Sequence, residues 1–566
     1  MNFQFENPLE DSSISTINED SFEEMPMKAS VAMFQMNSIL GDMDGNKDKI
    51  LSFCLSHKDC DIVMTPELSL CGYPPEDLIF HKSFLSSCLS CAQELIKASK
   101  QFPNTYLLIG LPVREEDKVF NEAFLIKDGQ LLGRYKKHNL PNYGVFDERR
   151  YFASGKNDEP LVFEVKGTKF GVNICEDIWH TEAPRASKKA GAEVLLILNA
   201  SPFEKYKRQQ RIECVRKNVC SQGMDAVYVN AVGAQDEIVF DGFSFTLTQQ
   251  GLGREMPGFE ASYTIVQCKN GSLLEDSPLS SSLDISELYS ALVLSLRSYI
   301  ENNSFKGVVL GLSGGIDSAL VLKIAVDAVG AERVEAVMMP SKFTSDMSRN
   351  DAAELAKRLK VKYSVIPIEP MYLAFEEALK NEFEGYRKDL TEENLQARIR
   401  AVILMAISNK KGLMLAATGN KSEMAVGYST LYGDLAGGFA VIKDVYKTEV
   451  YEICNWLNRI TSPSVFPENI LTRAPSAELR ENQKDEDSLP DYPTLDAVLK
   501  KYLEEKKALS EIIQEGFAEE TAKKVISLVK RAEYKRRQGP IGPKMTGIAF
   551  GRDWRYPITN KFKEQL

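Results

Sequence analysis

The sequence predicts an α/β protein of two or three domains, one of which is built on a doubly wound parallel sheet. Apolar runs of strand length alternate with segments whose apolar residues recur at helical spacing, as in α/β proteins. At 566 residues the chain is too long to fold around one core. A Gly-rich segment lies between a strand-like run and a helical pattern, where a doubly wound sheet places its ligands.

The first half of the chain begins with residues 1–27, which are polar and acidic with few apolar positions, so we expect a disordered extension. Strand-like and helical runs follow it, and they indicate one α/β domain over residues 28–270. The predicted strands are 31–36, 61–65, 105–111, 170–174, 194–199 and 226–232, and the predicted helices include 84–99 and 204–221.

A Ser-rich stretch that contains a proline marks residues 271–283 as a linker. The second domain then covers residues 284–566 and opens with a helix that ends near residue 300. Its predicted strands are 308–312, 333–339, 362–367 and 412–417, and the strand at 308–312 is followed by a helix over 319–329. Regular alternation of strand and helix predicts the doubly wound sheet.

The Gly-rich segment, residues 310–318, has the sequence LGLSGGIDS. Gly314 and Gly315 let the backbone approach an anion closely, and the N–H groups of the following helix start favour phosphate. Asp317 is suited to hold the Mg²⁺ that accompanies a nucleotide phosphate. An ordinary strand-to-helix turn is the alternative, and the absence of a Lys after the glycines excludes a Walker loop. We predict a pyrophosphate-binding loop, to which the resemblance described below assigns ATP, at Gly311, Leu312, Ser313, Gly314, Gly315, Ile316, Asp317 and Ser318.

Three residues upstream suggest a second chemistry. Glu67, Lys137 and Cys175 each lie at or near the end of a predicted strand, where side chains distant in sequence can converge. A carboxylate base, an ammonium group that stabilises an oxyanion and a thiol nucleophile suffice to cleave an amide. Taken singly, the Cys is equally compatible with a core position and the Glu and Lys with solvated surface positions.

The order and surroundings of these three residues resemble the nitrilase-type carbon-nitrogen hydrolases. The strings LPNYGVFDE (140–148) and CEDIW (175–179) are narrower matches. The loop at 310–318 resembles that of ATP pyrophosphatases, which split ATP between the α and β phosphates. Together, from about Lys28 to the C-terminus, the chain resembles the glutamine-dependent NAD synthetase family. The resemblance implies a nitrilase-like α-β-β-α sandwich followed by an ATP-pyrophosphatase domain.

The resemblance also implies roles for further residues. Glutamine would be bound by Tyr143, Ser201 and Lys207; ATP also by Thr418 and Lys447; deamido-NAD by Asn394, Glu423 and Lys535; and Mg²⁺ by Asp317 and Glu423. Lys447 and Lys535 are equally compatible with solvated surface positions, and the helix that carries Asn394 with a charged solvent face.

The reaction that the resemblance implies joins two sites. Cys175 would form a glutamyl thioester and release ammonia, which would amidate deamido-NAD after its activation by ATP. One alternative is an amidotransferase for another adenylated acceptor, because the ATP loop alone does not specify a substrate. The strings around Asn394, Thr418 and residues 551–557 argue against it. Another alternative is a catalytically silent assembly protein, although such a chain would be free to lose Glu67, Lys137, Cys175 or Asp317.

Composition limits the partners. The net charge of −11 and the lack of a basic, aromatic-rich patch argue against nucleic acid. No apolar run reaches the length of a membrane span, and residues 1–27 have no basic or apolar leader pattern, so we expect a cytoplasmic protein without a membrane partner. The ten Cys are scattered, which fits a reducing compartment. We expect small-molecule substrates and a homo-oligomer.

Overall fold

The computed structural model describes residues 28–156, 158–251, 253–274 and 285–562. The predicted extension over 1–27 and residues 275–283 of the predicted linker lie outside the described residues. Within the described ranges, no helix is both long enough and apolar enough to span a bilayer.

The first domain contains fourteen strands and five α-helices among the described residues. The strands are β1 Ala29–Gln35, β2 Ile62–Met64, β3 Tyr106–Glu115, β4 Lys118–Lys127, β5 Gln130–Lys136, β6 Leu161–Val165, β7 Thr168–Ile174, β8 Val194–Asn199, β9 Asp225–Asn230, β10 Val232–Gln235, β11 Ile238–Asp241, β12 Phe245–Leu247, β13 Ser262–Lys269 and β14 Ser272–Leu273. The helices are α1 Met43–Ser56, α2 Lys82–Ala98, α3 Glu148–Tyr151, α4 Glu182–Lys189 and α5 Lys207–Asn218.

Two sheets of this domain pack face to face. One has the order β14-β13-β1-β2-β3-β4-β5 and the other the order β12-β9-β8-β7-β6. Val31, Met64 and Leu108 of the first sheet and Val172 and Leu196 of the second are fully buried in one apolar cluster between them. Helices α1 and α2 cover the outer face of the first sheet, and α5 covers that of the second. The predicted α-β-β-α sandwich is confirmed.

The predicted strands of this half are all present, with ends shifted by up to four residues. Strands β4 to β6 and β10 to β14 were not predicted as separate strands. Strand β5 shows no buried run because it lies at the sheet edge with most of its residues exposed or half-exposed, whereas β4 is largely buried and was overlooked. The helix predicted from residue 204 begins at Lys207 instead. Tyr206 adopts a left-handed backbone with φ of +69°, which cannot continue a right-handed helix.

The second domain contains five strands and twelve α-helices among the described residues. The strands are β15 Val308–Gly311, β16 Val334–Met338, β17 Lys362–Val365, β18 Met414–Ala417 and β19 Phe439–Ala440. The helices are α6 Ile285–Asn302, α7 Ile316–Val329, α8 Asp346–Arg358, α9 Glu369–Leu379, α10 Leu390–Lys411, α11 Lys421–Val426, α12 Lys447–Ile460, α13 Glu468–Thr472, α14 Tyr492–Leu499, α15 Leu509–Gln514, α16 Glu519–Arg531 and α17 Glu533–Arg536.

The sheet of the second domain is parallel throughout, with the order β17-β16-β15-β18-β19. Helices α6, α7 and α12 pack on one face, and α9 and α10 pack on the other. The strand order reverses between β15 and β18, and the crevice beyond their carboxyl ends is where doubly wound folds bind ligands. The predicted doubly wound sheet is confirmed.

Helix α6 joins the two domains through apolar packing. Val232 of β10 and Val239 of β11 belong to the same buried cluster as Leu288 and Leu292 of α6. At the edge of this contact, the Arg208 guanidinium donates to Glu287 at 2.5 Å.

Residues of the C-terminal segment add polar contacts between the domains. The N–H of Lys205 donates to the Met545 carbonyl at 3.0 Å, and the N–H of Lys544 donates to the Glu237 carbonyl at 2.8 Å. Strand β14 uses the described part of the predicted linker to extend the first sheet. The domain limits themselves stay predictions.

Candidate active sites

Cys175 is the first residue after β7 and begins a short 3₁₀ turn, Cys175–Trp179. Its φ of +42° lies in the left-handed region, which residues with a side chain rarely adopt. Such a conformation persists only where the surrounding structure enforces it, and it is common in active sites. The residue is buried, and its thiol forms no disulfide.

Asp177 fastens this turn to the strand that leads to Lys137. Its Oδ2 accepts hydrogen bonds from the N–H of Ile174 at 3.1 Å and from the Tyr135 hydroxyl at 2.8 Å. Its Oδ1 accepts from the N–H of His138 at 3.0 Å. One buried carboxylate therefore holds the ends of β5 and β7 together, although they belong to different sheets.

Lys137 and Glu67 form a buried ion pair at the same end of the sandwich. The Lys137 side chain is 0% exposed, and its Nζ donates to Glu67 Oε1 at 2.7 Å. Glu67 also accepts hydrogen bonds from Asn121 Nδ2 at 2.7 Å and from the N–H of Ala200 at 3.1 Å. These contacts leave the carboxylate little freedom to rotate.

Burial raises the pKa of the Cys175 thiol well above its usual value, and the charge of Glu67 raises it further while Lys137 opposes the change. The thiol is therefore protonated at neutral pH in the substrate-free protein. Attack on an amide needs a base that takes this proton, and Glu67 is the carboxylate that acts most strongly on the thiol.

Glu148 is a site residue that the sequence analysis missed. Both of its carboxylate oxygens accept hydrogen bonds from Lys137 Nζ, at 2.8 and 2.9 Å, and Oε1 also accepts from the Tyr73 hydroxyl at 2.7 Å. Burial raises the pKa of Glu148 to about 7, with Lys137 opposing and Glu67 adding to the rise. For Lys137, burial alone would lower the pKa, but Glu148 and Glu67 outweigh it and hold the pKa well above its ordinary value.

Two of the three residues predicted to bind glutamine lie around Glu176, which directly follows Cys175. The Tyr143 hydroxyl donates to Glu176 Oε2 at 2.9 Å. The Lys207 ammonium lies 4.6 Å from the centre of the Trp179 ring, and its charge acts on Glu176. Burial lowers the pKa of Lys207 and raises that of Glu176. Lys207 is half-buried with its Nζ 3.9 Å from Glu204 Oε1, and Glu176 is buried. The Lys207 cation and the Glu176 carboxylate match the two charges of a free amino acid.

Ser201, the third of these residues, is buried two positions after the end of β8. Its Oγ accepts a hydrogen bond from Arg211 Nε at 3.0 Å, and its N–H donates to Asn230 Oδ1 at 2.9 Å. It directly follows Ala200, whose N–H donates to Glu67, so its backbone lies close to that carboxylate.

The Gly-rich loop of the second domain connects β15 to α7. Gly314 has a φ of +83°, and a Cβ at this position would lie 2.4 Å from the carbonyl oxygen of Ser348, so only glycine fits. Ser318 Oγ accepts a hydrogen bond from the N–H of Ser313 at 3.3 Å and donates to the Gly315 carbonyl at 3.0 Å. The loop is thus tied to the first turn of α7, whose N–H groups favour an anion.

Asp317 lies in that first turn and does not cap the helix. Its Oδ1 accepts from Asn420 Nδ2 at 3.0 Å, and its Oδ2 accepts from Lys447 Nζ. Lys447 Nζ also donates to Glu423 Oε1 at 3.3 Å. Burial raises the pKa of Glu423 to about 8, with Lys447 opposing and Asp317 adding to the rise. For Lys447, burial alone would lower the pKa, but Asp317 and Glu423 outweigh it and raise it.

A cavity of about 520 Å³ opens beside this cluster at the carboxyl ends of the strands. The predicted residues in its wall are Gly311, Leu312, Ser313, Asn394, Thr418 and Lys535. The predicted residues Gly314, Gly315, Ile316, Asp317, Ser318, Glu423 and Lys447 lie beside the cavity rather than in its described wall.

The residues predicted to bind ATP or deamido-NAD differ in the groups that are available to a ligand. The Ile316 side chain lies in the apolar core, so only its backbone can face a ligand. Asn394 Oδ1 accepts from the Thr430 hydroxyl at 2.8 Å. Lys535 Nζ donates to the carbonyls of Gly427 and Ser429 at 2.8 and 2.7 Å, and burial lowers its pKa.

Comparison with known proteins identifies the family of each domain. The NAD synthase family model matches residues 288–539, and the carbon-nitrogen hydrolase model matches residues 30–251. A glutamine-dependent NAD(+) synthetase from Acinetobacter baylyi is 44% identical over 94% of this chain and 98% of its own length. The chain belongs to the glutamine-dependent NAD synthetase family. A relative of the same name from Thermotoga maritima is 43% identical over 95% of this chain and 99% of its own length.

Solved structures of the glutamine-dependent NAD synthetase family share the fold. The Acinetobacter baumannii enzyme, solved in complex with adenosine diphosphate, is 43% identical and aligns with a TM-score of 0.76 over 95% of this chain and 100% of its own. The Cytophaga hutchinsonii enzyme aligns with a TM-score of 0.81 over 94% of this chain and 98% of its own, and at 21% identity it supports the fold alone.

The residues near the loop fit the Mg²⁺ predicted for this member of the glutamine-dependent NAD synthetase family. Mg²⁺ is usually held by one or two protein carboxylates together with substrate phosphates and water. Asp317 and Glu423 supply two carboxylates on either side of Lys447. Within the described ranges, no group of three or more His, Cys, Asp or Glu side chains is arranged to hold a metal ion.

The contacts of Glu148 predict a pH dependence. Glu148→Gln removes the charge that holds Lys137, so glutaminase kcat/KM should fall by about ten- to a hundredfold. In the parent enzyme the same loss should develop as the pH falls through about 7, because Glu148 then takes up a proton. The variant should lack this acid limb. Glutaminase pH profiles of the parent, Glu148→Gln and the exposed control Glu164→Gln test this, and an unchanged limb in Glu148→Gln would contradict it.

Proposed function

We propose that this chain makes NAD from deamido-NAD, ATP and glutamine at two cooperating sites. The chain belongs to the glutamine-dependent NAD synthetase family, whose members are ligases that use ATP, and this supports the proposed reaction. The observation that carries the proposal is the pairing of two buried clusters in one chain. Lys137 with two carboxylates lies beside a buried thiol, and Lys447 with two carboxylates lies beside a Gly-rich loop.

In the first domain, Cys175 attacks the side-chain carbonyl carbon of glutamine. Glu67 takes the thiol proton, and Lys137 stabilises the oxyanion that forms. The tetrahedral species collapses to a glutamyl thioester when Glu67 returns the proton to the departing nitrogen, which leaves as ammonia. Water then attacks the thioester with Glu67 as base, and glutamate and the free thiol result.

Recognition of glutamine uses the polar groups around Glu176. The glutamine carboxylate fits the Lys207 ammonium, and its α-ammonium fits the Glu176 carboxylate. The Tyr143 hydroxyl and Ser201 lie close enough to this pair to limit how the substrate is oriented. The support is that the Glu176 carboxylate, which the Tyr143 hydroxyl contacts, and the Lys207 ammonium both interact electrostatically with the Cys175 thiol.

In the second domain, the nicotinate carboxylate of deamido-NAD attacks the α-phosphorus of ATP and pyrophosphate leaves. This activation is needed because a carboxylate is a poor acyl donor to ammonia, whereas an acyl adenylate carries a good leaving group. The loop at 311–318 and Lys447 hold the departing phosphates, and Thr418 lies at the end of β18 facing the same cavity. Mg²⁺ held by Asp317 and Glu423 would neutralise charge on the phosphates.

Deamido-NAD would occupy the remainder of the cavity. Asn394, Lys535 and Glu423 lie in or beside its wall. Ammonia then attacks the acyl carbon and displaces AMP, which gives NAD. An acceptor other than deamido-NAD is the alternative, and the near full-length similarity to NAD synthetases favours deamido-NAD.

Ammonia must pass between the sites without leaving the protein, because in water at neutral pH it would become ammonium, which is not a nucleophile. A small cavity beside Glu67 is lined by Tyr73, Ala231, Val232 and Phe240. Its volume, about 20 Å³, is enough for one small molecule. Because β10 also packs on α6, we propose that ammonia leaves past this strand toward the second domain.

Three further expectations stay predictions. A homo-oligomer is supported by apolar side chains that α9 and α10 leave exposed, namely Leu373 at 53%, Leu390 at 68% and Val402 at 69%. The cytoplasmic location and the lack of nucleic-acid and membrane partners also stay predictions.

Replacing the nucleophile should separate the two chemistries. Cys175→Ala should abolish glutamine-dependent NAD synthesis and leave ammonia-dependent synthesis within about twofold of the parent, because adenylation occurs in the other domain. Glu67→Gln and Lys137→Ala should behave alike, and double variants should lose no more than single ones. Cys60→Ala, another buried thiol, is the matched control. Glutamine use retained by Cys175→Ala would contradict the assignment.

Neutralising Asp317 should impair NAD synthesis rather than glutamine hydrolysis, the reverse of Cys175→Ala. Asp317 does not cap α7, and a negative charge in the first turn of a helix contributes about 1 kcal/mol or less, so a role in the helix alone would make Asp317→Asn nearly harmless. If Asp317 holds Mg²⁺, the variant should lose NAD synthesis with either nitrogen donor and keep part of its glutaminase activity. The measurement is ammonia-dependent turnover at saturating Mg²⁺, with the exposed Asp346→Asn as control. Near-normal turnover would remove Asp317 from the site.

A further inference from the structure

Arg400 is a cation in the wall of the second-domain cavity to which neither the sequence nor the reaction above gives a role. It lies on α10, and its Nε donates to the Met339 carbonyl at 3.0 Å, just beyond the end of β16. This bond fixes the plane of the guanidinium at the rim of the parallel sheet. The two Nη groups of an arginine carry four further N–H donors.

No carboxylate in the described part of the chain forms an ion pair with Arg400. The carboxylate whose charge acts on it is Glu478, which also lines the cavity. Glu478 Oε1 accepts from the hydroxyls of Ser345 and Ser348, both at 2.8 Å, and Oε2 accepts from the N–H of Ser345 at 3.4 Å. Its hydrogen-bonding capacity is therefore directed to the start of α8.

Arg400 is half-buried, and removing a charge from water without a partner is unfavourable, so an anionic ligand in the cavity would stabilise it. Burial lowers the pKa of Arg400 to about 10, with Glu478 opposing, so the group is still charged at neutral pH. Arg400 therefore keeps its charge in the cavity wall, and it donates a single hydrogen bond to the described protein, from Nε. Its remaining N–H groups are suited to an anionic ligand. Arginine favours phosphate because its planar fork matches two phosphate oxygens.

The position of Arg400 along α10 indicates which part of a nucleotide it meets. Leu404, one turn further on, lies in the apolar end of the cavity with Val337 and Leu415. That end adjoins the start of the Gly-rich loop, since a Cβ on Gly311 would lie 3.4 Å from Leu404 Cδ1. An apolar end of this kind suits the base of a nucleotide. With the base there, the sugar and phosphate of the same nucleotide would lie near Arg400.

We propose that Arg400 binds a phosphate oxygen of the nucleotide seated in this cavity. Two substrates can supply that phosphate, ATP through its phosphate chain and deamido-NAD through its pyrophosphate. The proposal rests on the assignment of the cavity as the nucleotide site under the proposed function.

The test compares Arg400→Gln and Arg400→Lys with the parent full-length enzyme. Ammonia-dependent synthesis gives KM for ATP and for deamido-NAD, and calorimetry gives the affinities for AMP and for adenosine. Removing a charged hydrogen bond to phosphate should weaken one substrate by about tenfold or more, and Lys should restore part of the loss. Lys410→Gln, an exposed charge change on the same helix, should leave all four values unchanged.

The substrate that supplies the phosphate determines which KM values and affinities change. A higher KM for ATP, with weaker AMP binding and unchanged adenosine binding, would support the proposal with ATP as the source. A higher KM for deamido-NAD alone would support it with deamido-NAD as the source. If Arg400→Gln changes neither KM by more than about twofold, or weakens adenosine as much as AMP, the proposal is wrong.

A separate variant tests the assignment on which the proposal rests. Ala401→Phe places a ring in the cavity next to Arg400 and should abolish the binding of both AMP and adenosine. If a folded Ala401→Phe enzyme binds both as the parent does, the cavity is not the nucleotide site, and the proposal falls with that assignment. The ratio of AMP to adenosine affinity in Arg400→Gln, by contrast, tests only the role of Arg400. It does not test whether the cavity binds the nucleotide.

Discussion

The packing of α6 against β10 and β11 is the contact on which the two-site architecture depends. Val232 and Val239 of the first domain are buried in the same apolar cluster as Leu288 and Leu292 of the second, so the domains share part of one core. The same β10 contributes Val232 to the small cavity beside Glu67. A single short strand thus forms both the domain contact and one wall of the space next to the hydrolase carboxylate.

Both candidate sites use the same electrostatic arrangement, a buried lysine between two carboxylates. Lys137 lies between Glu67 and Glu148, and Lys447 lies between Asp317 and Glu423. Burial of the lysine is unfavourable, and the two carboxylates more than offset it. Burial also raises the pKa of Glu148 and of Glu423, so removing the lysine from either cluster would leave two carboxylates without their cation. The members of each cluster should therefore behave as a unit in mutagenesis.

The sequence contains enough information for the fold class and for the residues that carry local signals. The Gly-rich loop lies between an apolar strand and a helix, and Cys175 follows a buried strand, so both could be placed from the chain alone. Glu148 and Arg400 could not, because nothing local distinguishes a buried charge from a solvated one. Their burial depends on Tyr73 and Met339, which approach from distant segments. The packing of α6 on β10 could not be predicted either, because the apolar positions of a helix do not show which element they pack against.

The central claim is that ammonia made at Cys175 reaches the acyl adenylate inside the protein. The direct measurement supplies the enzyme with glutamine carrying a heavy nitrogen isotope in its side-chain amide, together with a larger pool of unlabelled ammonium. Isotope content of the new NAD amide is then read by mass spectrometry. Internal transfer predicts that NAD carries nearly the isotope content of the glutamine amide. NAD with the isotope content of the mixed ammonium pool would contradict the account.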